Sequence, residues 1–160
     1  MMPAPRKVPV SDEAGSSQRG VQELWLATLQ HSWRSLALIP AHPGGSVDKL
    51  AQALAELAQR YRGRPLNLIL AHDLTLENMA PIVDLIERTH ARIPERRRGE
   101  QEIVVALDAV LENPFGVAVA LAVDAIVLVA ELGVTDHASA RKSIEALGRE
   151  RVIGVVALRP

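Results

Sequence analysis

The chain has 160 residues, a formal net charge of −1 and an apolar fraction of 48%, which points to one domain with a substantial core. Near-neutral charge argues against general nucleic-acid binding, which needs a basic excess to displace counterions, and gives no support to an anionic membrane surface as partner. There is no Cys, so a disulfide framework, a thiolate metal site and a Cys nucleophile are all excluded.

Residues 1–20, "MMPAPRKVPVSDEAGSSQRG", are polar and rich in Pro, Gly and Ser. They lack the apolar run of an export signal and read as a disordered tail. Residues 21–160 then form a single α/β domain. "VQELWLATLQHSW" (21–33) spaces Val21, Leu24, Trp25 and Leu29 as on one side of a helix. "SLALIPA" (35–41) is a short apolar run, the first strand. "VDKLAQALAELAQRY" (47–61) is an amphipathic helix with Leu50, Leu54, Leu57 and Ala58 on one face. "LNLILAHD" (66–73) is the second strand. A helix is expected over 77–93, with Pro81 in its first turn. "EIVVALD" (102–108) is the third strand, followed by a short helix over 114–122.

"AIVLVAEL" (125–132) is the fourth strand, 135–150 a helix capped by Thr135 or Asp136 and ending near Gly148, and "RVIGVVALR" (151–159) the fifth strand. The most apolar stretch, 115–130, is too short for a comfortable membrane span and contains Asp124, so it reads as a buried helix entering a buried strand. Strands that are nearly uniform apolar runs, alternating with helices, predict a three-layer α/β/α, doubly wound, mainly parallel sheet of about five strands. Ligands of such folds sit beyond the carboxyl ends of the strands. Here that edge is formed by residues 40–46, 72–75, 108–114 and 131–136.

With that layout, several segments resemble the cytoplasmic domain of the bacterial tyrosine kinases of capsule and exopolysaccharide synthesis. More widely they resemble the deviant P-loop ATPases that include the ParA and MinD proteins. "QELWLATLQ" stands where the family has a leading "EAYRxLRTNL" helix. "PAHPGGSVDKLAQALAELAQ" stands where it has a "SxxPGEGKST" loop and its helix, sharing Pro43, Gly44 and the helix. "LILAHDL" is similar to an "LLIDADLR" strand, and "VVALDAV" to an "IIDTPP" strand. "VDAIVLVAELGVT" and "VIGVVAL" are similar to the family's "ADxVLLVVxxGxT" and "VxGVVLN" segments. The resemblance spans about residues 22 to 158 and rests mainly on the order of the segments. It implies a P-loop-NTPase-like fold, a bacterial setting in exopolysaccharide synthesis or intracellular positioning, and self-association.

The loop departs from the family pattern where its chemistry resides. In register, Ser46 replaces the Gly before the phosphate-binding Lys, Val47 replaces that Lys, and Asp48 replaces the hydroxyl residue that holds Mg²⁺. Val47 has no charge to offer. Asp48 favours a helix N-terminus and repels an incoming anion. Ala71 and Ala106 stand where two motif carboxylates are expected, leaving Asp73 and Asp108 as residual acidic positions. Phosphoryl transfer depends on metal ions and cations to neutralise developing charge, and those parts are missing together. The only Tyr is Tyr61, inside a predicted helix, so the terminal tyrosine cluster of the kinases is absent as well.

The expectation is therefore a catalytically inactive P-loop-ATPase-like domain, cytoplasmic, with no cofactor and no metal. It would act as a scaffold or regulatory partner of other protein chains, as a homo-oligomer or with an active homologue, without nucleic acid and without direct membrane insertion. The degenerate loop is Pro43, Gly44, Gly45, Ser46, Val47 and Asp48; core packing is the default reading of Trp25 and Trp33, and the sharper one makes Leu24, Trp25 and Trp33 on the leading helix a candidate interface. The alternative is a divergent nucleotide-binding module using backbone contacts of the Pro43–Ser46 loop, although the glycines also serve simply to turn the strand into the helix. Asp73 and Asp108 would suit Mg²⁺ or an acid–base pair, but are read as turn formers and caps. His42, His72 and His137 share the edge without the close spacing of a zinc ligand pair. Arg92–Arg98 reads as a solvated basic loop balanced by Glu95 and Glu100.

Overall fold

The computed structural model describes residues 7–10, 14–62, 66–91 and 102–159. Its elements in chain order are β1 (Lys7–Val10), α1 (Ala14–Thr28), β2 (Ser35–Pro40), α2 (Asp48–Arg62), β3 (Asn67–Ala71), α3 (Leu76–Ala91), β4 (Ile103–Leu107), α4 (Phe115–Ala122), β5 (Ala125–Glu131), α5 (His137–Leu147) and β6 (Val152–Leu158). The strands lie in the order β1-β6-β5-β2-β4-β3, and every pairing is parallel. This is the three-layer α/β/α architecture expected of alternating helices and apolar strands.

The central strand β2 has no exposed residue because both its faces are covered. Its side chains alternate between two cores. Leu36 and Leu38 join Val104, Ala106, Val127 and Val129 under α1 and α2. Ala37 and Ile39 join Ile103, Val105, Leu107, Ile126 and Leu128 under α3, α4 and α5. Each fully buried Leu, Ile or Val contributes roughly 1.5–3 kcal/mol relative to exposure, so the burial of β2, β4 and β5 dominates the stability of the sheet. The uniform apolarity that made these strands legible is a direct consequence of their having helices on both sides.

Four details differ from the sequence expectation. The tail expected to be disordered contributes β1 and the first turns of α1. β1 is a four-residue strand on the outer edge of β6, a place that tolerates Pro9, which has no N–H to donate. So short a strand carries no periodic signal. Pro81 lies inside α3, which begins at Leu76, rather than in its first turn. The helix starts early because Thr75 and Asn78 cap it reciprocally: Asn78 N–H donates to Thr75 Oγ1 at 3.3 Å, and Thr75 N–H to Asn78 Oδ1 at 2.6 Å.

The third and fourth differences concern the leading helix, which ends at Thr28, and the residues proposed there as an interface. Leu24, Trp25 and Trp33 are buried in the core beneath α1 and α2. The two indoles meet edge-on, centroids 6.2 Å apart, and Trp33 Nε1–H donates to the carbonyl of Thr28 at 3.1 Å. Trp33 thus folds back to seal the end of α1, and these side chains are not available to a partner. The basic stretch Arg92–Arg98 lies outside the described residues.

Candidate functional site

β2 runs into a turn at the carboxyl edge. Gly45 N–H donates to His42 O at 3.3 Å, and Gly44 between them has φ +82°. Pro followed by a positive-φ Gly is the signature of a type II turn. Gly45 is required for a different reason: a Cβ there would lie 2.8 Å from Pro40 Cβ and 3.1 Å from the His42 ring. The loop then drops Val47 into the core, where it is 1% exposed. Its side chain points inward, packed among Leu50, Leu54 and their neighbours.

Asp48 opens α2 and turns toward the end of β3 instead of toward solvent. Both its carboxylate oxygens accept from His72 Nε2, at 2.9 and 2.8 Å. The other ring nitrogen of His72, Nδ1, meets Asp108 Oδ1 at 2.7 Å. Asp108 Oδ2 accepts from Asp73 N–H at 2.9 Å. One imidazole thereby joins the first turn of α2 to the ends of β3 and β4. The pKa of His72 is raised. The hydrogen bond to Asp108 is the largest cause, partial burial opposes it, and the bond and charge of Asp48 add to the rise. With both nitrogens facing carboxylates, the protonated imidazolium is the form that satisfies the geometry.

Glu112, in the loop after β4, reaches back to the turn: Gly44 N–H donates to its Oε2 at 3.0 Å. One backbone donor of the turn is thereby occupied by the protein's own carboxylate. On the other side, His42 Nδ1 and Thr135 Oγ1 share a 2.6 Å hydrogen bond, and the same hydroxyl accepts from Glu131 N–H at 2.8 Å. Glu131 Oε2 lies 3.7 Å from His42 Nε2. Asp136, not Thr135, caps α5, accepting from Ser139 N–H at 2.6 Å; that bond holds its carboxyl below the usual carboxylate range.

The residues singled out in the sequence thus separate into groups. Asp48 and Asp108 are brought together through His72. Asp73 holds the turn with φ +51°, its carboxylate exposed, and leaves the capping of α3 to Thr75. Pro43, Gly44 and Ser46 are exposed, and Ser46 Oγ accepts from Asp48 N–H at 3.4 Å. His42, His72 and His137 do not converge, and among the described residues no cluster of three or more His, Asp or Glu could hold a metal ion. His72 and Glu112, the two side chains that link segments across this edge, were not singled out for those roles. A signal existed: both are polar residues in segments that directly follow apolar strands.

The four loops that line the edge, residues 41–47, 72–75, 108–114 and 132–136, contain Asp73, Asp108, Glu112 and Asp136 but no Lys or Arg. At the opposite end of the sheet a Ser–His–Asp trio has no catalytic geometry. His90 Nε2 faces both Ser35 Oγ, at 2.8 Å, and Asp124 Oδ1, at 3.3 Å, whereas a nucleophilic triad places its two partners on different ring nitrogens. Ser35 is fully buried and accepts from Asp124 N–H at 3.0 Å, while Asp124 Oδ2 accepts from Arg34 N–H at 2.7 Å. The trio ties together the starts of β2 and β5 and the end of α3. No helix among the described residues is long and apolar enough to cross a membrane. In comparisons with protein-family models and with curated proteins, nothing matches this chain.

Proposed function

We propose that this chain is a catalytically inactive, P-loop-ATPase-like domain that works as a cytoplasmic scaffold or regulatory partner of other protein chains. One observation carries the reading: the crevice where a nucleotide would sit is satisfied internally. Glu112 takes the Gly44 N–H, Asp48 turns toward His72 from the first turn of α2, and Val47 is buried. A triphosphate entering there would meet Val47 in place of a Lys, with Asp48 beside it, and would find the Gly44 N–H already used. The partner is a second copy or an active homologue, and the resemblance of the segments adds a bacterial setting in exopolysaccharide synthesis or intracellular positioning.

The carboxyl edge is the surface favoured for that contact. Leu76, Leu111, Phe115, Leu132 and Val134 are all exposed there, on four different loops or helix starts. Large apolar side chains gathered at one end of a domain are a feature of interaction surfaces. The competing reading, a nucleotide module using the backbone of residues 43–46, draws on Gly44, whose surroundings are open, and requires Glu112 to swing away.

A thermal-shift titration with ATP, ADP and GTP, each with and without Mg²⁺, separates the two. A ligand that binds only the folded chain raises its melting temperature. The scaffold reading expects a flat response at millimolar ligand. A concentration-dependent, Mg²⁺-linked rise overturns it.

A further inference from the structure

We propose that His72 is a proton-operated latch on the crevice: doubly protonated, it clasps Asp48 to Asp108 and holds the first turn of α2 against the ends of β3 and β4; singly protonated, it releases Asp48 and frees that turn with the loop before it.

The argument begins with donors. An imidazolium has two N–H groups and a neutral imidazole has one. Here each ring nitrogen faces a carboxylate, Nδ1 at 2.7 Å from Asp108 and Nε2 at 2.8 Å from Asp48. Loss of one proton necessarily sets a nitrogen lone pair against a carboxylate oxygen at hydrogen-bond distance. One of the two contacts must open.

The contact that opens is the one to Asp48. Asp108 is held a second time, by Asp73 N–H on its other oxygen, and sits at the end of a strand paired on both sides. Both oxygens of Asp48 face the same Nε2, and Asp48 stands at the start of a helix that follows an exposed turn. The neutral ring therefore keeps Nδ1–H on Asp108 and turns a lone pair toward Asp48. The charged groups facing His72 are Asp48 from α2 and Asp108 from β4; Asp73 follows it in its own loop, and the neighbouring Glu112 is engaged with Gly44. Because these carboxylates raise the pKa of His72, the release falls above the ordinary histidine range of about 6.5.

The test is an NMR titration of the full-length, ¹⁵N-labelled chain. Imidazole signals report the state of His72, and the amides of Gly44, Gly45 and Lys49 report the turn. The latch requires His72 to titrate above the ordinary histidine value, the turn amides to move with the same midpoint, and their exchange protection to fall severalfold above it. Asp48→Asn lowers the His72 midpoint and removes most of the step in protection. His72→Gln, which cannot titrate, abolishes the step and serves as the independent variant if Asp48→Asn folds poorly. Turn amides that stay still through the His72 titration, or a His72 that titrates at or below the ordinary value, overturn the proposal.

Discussion

The backbone N–H of Gly44 donates to the carboxylate of Glu112 across 68 positions of sequence, at 3.0 Å. It is the contact by which the loop after β4 occupies the turn after β2. Glu112→Gln keeps the shape and removes the charge. The bond is exposed, so the loss of stability is expected to stay within about 1 kcal/mol. Removing one negative charge from the rim should also let inorganic phosphate raise the melting temperature more in the variant than in the parent chain. Parallel phosphate titrations by thermal shift check both expectations.

His72 gives the chain a pH-dependent stability with a definite sign. Its folded pKa is raised above the unfolded value, so the folded state binds the proton more tightly. The stabilisation is fully present below the unfolded pKa of about 6.5 and is lost as pH rises through the folded value. Relative to His72→Gln, the parent chain should be most favoured below about pH 6.5 and lose that advantage as pH rises through the raised folded value. Urea unfolding of both proteins across that range is the measurement. A stability difference that grows with pH contradicts the assignment.

Trp25 and Trp33 distinguish core from interface. Each is buried in the domain, so Trp25→Ala and Trp33→Ala should each cost about 3–5 kcal/mol of unfolding free energy. The loss should not depend on protein concentration. Leu26 lies on the same helix but is 61% exposed, and Leu26→Asp should change stability by less than about 0.5 kcal/mol. Chemical denaturation at two protein concentrations compares them directly.

The two glycines of the turn fail for opposite reasons when replaced. Gly44→Ala meets no neighbour but is forced to keep φ +82°, a left-handed conformation costing roughly 1–2 kcal/mol. Gly45→Ala drives a methyl group into Pro40 and the His42 ring, an overpacking cost of about 1–3 kcal/mol. Adding His42→Ala should recover part of the second loss and none of the first. Double-mutant cycles from urea unfolding measure that difference.

The architecture was legible in the chain because β2, β4 and β5 are buried on both faces and α2 on one, and those environments leave periods of apolarity that survive without any knowledge of partners. β1 left no such trace, being a four-residue edge strand whose place is set by main-chain pairing with β6. That the loop carries an apolar Val47 and an acidic Asp48 was read directly from the chain; that Val47 is buried came only with the fold.

What links the segments of this edge was decided only by the tertiary structure. Asp48, His72 and Asp108 lie far apart in sequence and form one hydrogen-bonded group because α2, β3 and β4 end at the same edge. Glu112 reaches Gly44, and Thr135 reaches His42 instead of capping α5, for the same reason. Trp33, read by default as core and more sharply as part of an interface on the leading helix, lies in the core beyond the end of α1. A residue's type and local period are properties of its own segment and can be read there. The partner of a polar side chain depends on which strands become neighbours, and that is settled only when the sheet has formed.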